Sequence, residues 1–148
     1  MEGCAEEAVR FYTALFSGTI DDVKRFPGPP GDKETVILEF TLDGVSYVAM
    51  DAGRGPKLTE AFSFAIACED QADVDRLWNA LVEGGKPSQC GWLTDRFGVT
   101  WQIVPKRFFE LASSGTPAQS AAVMQAMFGM VKFDIAALEK AFEDAKGS

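Results

Sequence analysis

The stretch Gln89-Cys90-Gly91-Trp92-Leu93-Thr94-Asp95-Arg96-Phe97-Gly98-Val99-Thr100-Trp101-Gln102-Ile103-Val104-Pro105 decides the fold of this chain. Its two arms, residues 89–94 and 99–104, are rich in β-branched and aromatic side chains and read as strands. Asp95-Arg96-Phe97-Gly98 between them has the composition of a turn. Upstream, Gly84-Gly85 stops a helix that Asp70 caps and that runs through Glu83. Val74, Leu77, Trp78 and Leu81 recur along that helix at i, i+3, i+4 and i+7, one apolar stripe. Residues 61–68 form a strand ahead of it. The order is strand, helix, Gly-Gly stop, weak strand, hairpin.

The first half of the chain repeats most of this order. Residues 5–16 give an amphipathic helix with Ala5, Ala8, Val9, Tyr12, Leu15 and Phe16 near one stripe, ended by Ser17-Gly18. Thr19–Phe26 is a weakly periodic strand, and Pro27-Gly28-Pro29-Pro30-Gly31-Asp32 is a loop, because prolines deny a ladder its donors. Thr35–Leu42 and Val45–Asp51 then form a hairpin across Asp43-Gly44. Gly53-Arg54-Gly55-Pro56 separates the halves. The second half is therefore βαβββ, and the first is the same unit without its opening strand. Beyond Pro105 the pattern is helical: Phe108, Phe109 and Leu111 on a short helix, then Thr116-Pro117-Ala118-Gln119 with a cap, an N1 proline and a capping-box glutamine. Asp134 caps a last helix carrying Ile135, Leu138 and Phe142. The expected class is α+β: paired βαβββ modules in a curved mixed sheet around a cleft, with C-terminal helices added. Residues 1–148 make one domain, with module one at about 1–55, module two at about 58–106 and the helical extension at about 107–148.

Composition narrows the function. The chain carries 14 Lys and Arg against 22 Asp and Glu, a net charge of -8. Nucleic acid is disfavoured, since phosphates need a basic surface to release counterions, and so is docking on anionic lipid. No apolar run reaches membrane-spanning length and no signal peptide is expected, so the expectation is a cytoplasmic protein. Cys4, Cys68 and Cys90 are odd in number and unclustered, which suggests neither a disulfide framework nor a zinc site. There is no histidine. Ser-His and Cys-His catalysis and His-ligated metals are thereby excluded.

Several segments resemble the PhnB-like branch of the vicinal-oxygen-chelate superfamily, the superfamily of glyoxalases, bleomycin-resistance proteins and dioxygenases. Glu6-Glu7-Ala8-Val9-Arg10-Phe11-Tyr12 is similar to that branch's first helix, and Glu60-Ala61-Phe62-Ser63-Phe64 to the opening strand of its second module. Residues 89–105 resemble its strand-turn-strand signature, and Val123-Met124-Gln125-Ala126-Met127 its C-terminal helix. Some members are labelled 3-demethylubiquinone-9 3-methyltransferase, yet no Gly-rich strand-to-helix loop for S-adenosylmethionine is present here. The resemblance implies an apolar strand before the first helix, whereas this chain opens at Met1-Glu2-Gly3-Cys4. It also implies, for metal-using members, two ligands per module. Aligned on the Asp-x-x-Gly turn and on Glu69-Asp70, two of these positions fall on Gln102 and Ser63. The first-strand ligand has no counterpart, and the remaining position offers Asp51. No cofactor and no metal are expected.

Alternation in the strands sorts the candidate residues by face. Gln102 shares a face with Thr100 and Val104, and Ser63 with Ala65 and Ala67. Two readings stand side by side: both residues hydrogen-bond a small-molecule ligand where relatives hold metal, or both satisfy neighbouring backbone groups. Trp92 is expected on the same strand face as Cys90, as an apolar wall for a ligand or, the favoured reading, as core. Cys90 has no histidine to activate it and reads first as an inert thiol. Met50 is the methionine expected to line the cleft, with core filling equally open. Glu39 is the best-placed strand carboxylate for proton transfer, against a solvated or dimer-facing role. A homodimer is expected from exposed sheet edges and the apolar C-terminal helices. The function expected is that of a small-molecule-binding protein, either a metal-independent enzyme or a ligand-sequestering protein of the bleomycin-resistance type.

Overall fold

The computed structural model describes residues 3–28, 30–31, 33–53 and 55–147. Met1 and Glu2, Pro29 and Asp32 of the expected loop, Arg54 of the expected break, and Ser148 lie outside the described residues. The class is α+β, with the strands in two separately hydrogen-bonded sheets, one in each of two compact units, Met1–Leu58 and Thr59–Ser148.

Unit one is helix α1 (Ala5–Leu15) followed by strands β1 (Thr19–Phe26), β2 (Thr35–Leu42) and β3 (Val45–Asp51). The sheet is antiparallel in the order β1-β2-β3. Asp43 and Gly44 both take positive φ, 47° and 77°, as a two-residue turn must when it matches the right-handed twist of its strands. That turn fixes the register, pairing Leu42 with Val45, Phe40 with Tyr47 and Leu38 with Ala49. Ile20, Val23, Leu38, Phe40, Tyr47 and Ala49 consequently share one face. Ala5 and Val9 of α1 complete the core against Leu38, Phe40 and Ala49. Asp51 ends β3 with its carboxylate 3.5 Å from the Ala5 N–H, at the start of α1. Arg25 bridges Glu6 and Glu34 from the rim. The two guanidinium hydrogen bonds from Arg10 and Arg25 hold the Glu6 carboxyl below its ordinary pKa.

Unit two opens with β4 (Phe64–Cys68) and α2 (Gln71–Val82), then β5 (Lys86–Pro87), β6 (Trp92–Thr94) and β7 (Thr100–Pro105). The sheet order is β4-β7-β6-β5, with β4 parallel to β7 and the other pairs antiparallel. Asp70 caps α2 by accepting from the Asp73 N–H at 2.9 Å. The stripe Val74, Leu77, Trp78 and Leu81 is buried, as are Cys68, Leu93, Trp101 and Ile103 of the strands. Asp95 organises the β6–β7 turn. One of its oxygens accepts from the Phe97 and Val99 N–H groups, and the other from the Trp101 indole N–H at 2.9 Å.

Three helices follow, α3 (Lys106–Ser114), α4 (Pro117–Phe128) and α5 (Ile135–Asp144), and a short 3-10 turn, Ala145–Gly147, ends the described chain. The expected capping box is present: Gln119 N–H donates to Thr116 Oγ1, and Thr116 N–H donates to Gln119 Oε1. Gln71 ties the start of α2 to the start of α5. It donates to the Phe133 carbonyl at 3.1 Å and accepts from the Ile135 N–H at 2.9 Å.

Two strand limits differ from the sequence reading. The strand expected over residues 61–68 begins at Phe64. The one expected over residues 89–94 begins at Trp92, because Cys90 and Gly91 take positive φ, 56° and 80°. Their N–H groups donate to the carbonyls of Met130 and Val131 rather than to a neighbouring strand.

Candidate functional site

On the side of the unit-two sheet away from Leu93, Trp101 and Ile103, the register lines up Ala65, Gln102 and Trp92 across three strands. Ser63 immediately precedes β4, and its Oγ accepts from Gln102 Nε2 at 2.8 Å. Ser63, Trp92 and Gln102 are half-buried, while Ala65 and Ala67 are exposed. Thr94, Thr100 and Val104 complete the face by alternation. The face has a consistent chemistry. It joins a hydrogen-bonding amide–hydroxyl pair to an indole and to a floor of small side chains, and its charge lies at the rim, where Lys86 of β5 pairs with Thr94. With one Gln102 N–H engaged by Ser63, the pair still offers an acceptor at Gln102 Oε1 and a donor at the Ser63 hydroxyl.

Of the residues singled out in the sequence, Ser63, Gln102 and Trp92 are brought together here. Cys90 is not. Its left-handed backbone turns it toward the C-terminal segment, where Sγ lies 3.6 Å from the Met127 carbonyl. The expectation that Cys90 and Trp92 share a strand face is therefore corrected: the strand has not begun at residue 90. Cys68 is sealed in the core, and burial, reinforced by Asp73, pushes its thiol pKa up to about 12.

Met50 and Glu39 belong to unit one, on the sheet face opposite α1. Met50 stands across from Ile37 and is 59% exposed. Glu39 accepts from Lys24 Nζ at 2.5 Å, and Lys24 also contacts Asp22 at 3.1 Å. These two acceptors raise the Lys24 pKa. Glu39 is thus half of an exposed ion pair, not an isolated carboxylate.

The donors at the positions matched to metal ligands do not fit a divalent ion. A neutral amide and a hydroxyl, already bonded to each other, cannot offset a dication's charge. Asp51 sits at the α1 N-terminus on unit one. Among the described residues, no three Asp, Glu, Cys or His side chains cluster closely enough to hold a metal. The sequence reading passed over Asp95 and Gln71 as organising residues. Asp95 carries a local signal, since an Asp-x-x-Gly turn places a side-chain acceptor beside the amides that follow it. The partners of Gln71 are more than sixty positions away and leave no local signature.

A family model described as 3-demethylubiquinone-9 3-methyltransferase matches residues 1–104. Among solved structures, a PhnB protein from Bacillus cereus, described as a candidate 3-demethylubiquinone-9 3-methyltransferase, is 32% identical, with a TM-score of 0.64 over 71% of this chain and 93% of its own. A protein from Pseudomonas aeruginosa shares the fold at 24% identity, with a TM-score of 0.59 over 70% of this chain and 90% of its own. No curated protein matches the chain. Family match and structural likeness agree with the helix and strand-turn-strand motifs, and the chain belongs to the PhnB-like 3-demethylubiquinone-9 3-methyltransferase family.

Proposed function

We propose that this protein binds a neutral small molecule on the Ser63–Gln102–Trp92 face, without metal, and holds it rather than transforming it. The observation that carries this reading is that Ser63, Gln102 and Trp92, at the centre of that face, have no carboxylate or imidazole beside them, the Lys86 ammonium standing at the β5 edge across from Thr94. General acid–base chemistry needs such a group within hydrogen-bonding reach of the reacting atoms. Glu39, the carboxylate considered for that role, is engaged by Lys24. The complementary ligand is a flat, uncharged molecule with an adjacent donor and acceptor, such as an aromatic carboxamide or lactam. Its polar edge would meet Gln102 and Ser63, and its ring would meet the Trp92 indole.

Methyl transfer is a poor fit to these residues. A nucleotide-like cofactor is held where a Gly-rich turn lets a helix N-terminus approach it. The one parallel strand–helix–strand crossover among the described residues is β4-α2-β7, and its entry is Glu69-Asp70, an acidic pair whose aspartate already caps the helix. The broader placement in the vicinal-oxygen-chelate superfamily rests on the repeated module. A cytoplasmic location fits the three free cysteines, and among the described residues no helix is long and apolar enough to cross a membrane.

Equilibrium dialysis against a panel of neutral aromatic carboxamides and matched carboxylates tests the reading. Carboxamides should bind and carboxylates should not. Gln102→Leu should weaken binding about tenfold, the worth of one or two hydrogen bonds. Preference for carboxylates, or indifference to Gln102→Leu, would place the ligand elsewhere.

We further propose a homodimer formed through the C-terminal helices. Phe109, Phe128 and Val131 are 57%, 59% and 42% exposed, an apolar surface that association would cover. Light scattering should give twice the 16.0 kDa chain mass at micromolar concentration, and Phe128→Asp should return the monomer. A monomer mass for the unaltered protein would refute it.

A further inference from the structure

One deep polar side chain on the unit-two face stands without a partner. Thr100 of β7 is 5% exposed, and among the described residues its hydroxyl makes no hydrogen bond. Among those residues, every side-chain oxygen or nitrogen that is fully shut off from solvent does have a partner. The small surface left to Thr100 therefore includes its hydroxyl. A hydroxyl held this deep is costly to leave unbonded, and a group arriving from outside can relieve that cost.

The strand register sets what surrounds it. Thr94 of β6 lies across from Thr100, and Trp92 lies across from Gln102, two residues away along each strand. The four make a square, with sides of about 5 Å between strands and about 7 Å along them. One side of the square holds the amide and the indole, and the other holds two hydroxyls. Thr94 is half-buried, and its hydroxyl also has no hydrogen-bond partner among the described residues. Because Phe64 pairs with Trp101, Ser63 falls beside Thr100, and Gln102 reaches that way to donate to Ser63 Oγ. A ring over Trp92 with its amide at Gln102 thus points its far substituent at Thr94 and Thr100.

The charge around the square selects against ions. No carboxylate stands on the two rows, so a cation would meet only the Lys86 ammonium across from Thr94. Lys86 is exposed, so water screens its pull on an anion, and the chain as a whole carries a net charge of -8. A neutral oxygen accepts from a hydroxyl without any counter-charge.

We propose that Thr100 and Thr94 form a second polar subsite on this face, which takes a neutral carbonyl oxygen set across the ligand's ring from its amide. The ligand class is a para-acyl aromatic carboxamide, or a ring system of the same span. The proposal rests on the reading that Gln102 and Ser63 hold an amide with the ring over Trp92. Thr100 sets the specificity, because a buried hydroxyl left unpaired rejects the analogue that lacks the oxygen.

Equilibrium dialysis with three probes of nearly one shape tests it. 4-Acetylbenzamide should bind about five- to tenfold more tightly than 4-isopropylbenzamide, which lacks the oxygen. Thr100→Val removes the hydroxyl, keeps the branched shape and should erase that preference, while Lys86→Met should keep it. The comparison on the unaltered protein does not depend on any variant folding. If both probes bind equally and both weaken with Gln102→Leu, the amide site stands and the second subsite is overturned. A preference that survives both Thr100→Val and Thr94→Val overturns it too. So does tighter binding of 4-carbamoylbenzoate, which would make Lys86 the contact. If none of the three binds, the amide reading itself fails and takes the subsite with it.

Discussion

Asp95→Ala should destabilise unit two by about 3–5 kcal/mol, among the largest effects of any single polar truncation in the chain. The carboxylate is 4% exposed and accepts from the Trp101 indole and from the Phe97 and Val99 amides. Truncation strands three donors, one of them on a ring that is 2% exposed, and dissolves the turn that sets the β6–β7 register. Melting temperature should fall by roughly 10–15 °C. Asp95→Asn should fall between, since an amide can offer oxygen to the indole or to the two backbone groups but not to both. If the alanine variant melts within two or three degrees of the unaltered protein, Asp95 does not organise this turn.

Gly91→Ala should cost about 3–5 kcal/mol for a different reason. The residue has φ 80°, and a Cβ built there would lie 2.6 Å from Phe133 Cε2 and 2.7 Å from the Ile103 carbonyl oxygen. One contact is with a buried ring and the other with backbone, so neither gives way cheaply. Gly98 is the natural control. Its φ is 84°, yet a Cβ there meets nothing within 4 Å. Gly98→Ala should therefore cost only the left-handed backbone penalty, about 1–2 kcal/mol. Thermal melts of the two variants should differ by a factor of two or more in the loss. Equal losses would mean that backbone conformation, not the closeness of residue 91 to Phe133, dominates.

Gly91 also marks where sequence reading stops. The Asp43-Gly44 hairpin, the Asp70 cap and the Thr116–Gln119 capping box were all legible, because each is decided by residues within four positions of one another. Face assignments were legible too. Alternation put Gln102 with Thr100 and Val104, Ser63 with Ala65 and Ala67, and Glu39 opposite Leu38 and Phe40, while the pairing of strands that joins Gln102 to Ser63 and Trp92 came from the structure. The conformation at Cys90-Gly91 was not, since it depends on carbonyls of Met130 and Val131 some forty residues on. By composition, residues 89–91 look like strand, and a strand would have placed Cys90 beside Trp92. The ion pair of Glu39 with Lys24 was hidden for the same reason, as it joins strands fifteen positions apart. The expected modules appear as βαβββ in unit two and αβββ in unit one, as the repeat implied.

The central claim is that the sheet face centred on Gln102, with the Lys86 ammonium only at its β5 edge, binds a neutral ligand without metal. The most direct test is a two-dimensional amide spectrum of the protein titrated with an aromatic carboxamide in excess chelator. The largest shifts should fall on the Gln102 side-chain amide, the Trp92 indole N–H and the backbone of Ala65 and Ala67, and Gln102→Leu should remove them. Binding that appears only when a divalent metal is added, or shifts centred on Glu39 and Lys24, would contradict the account.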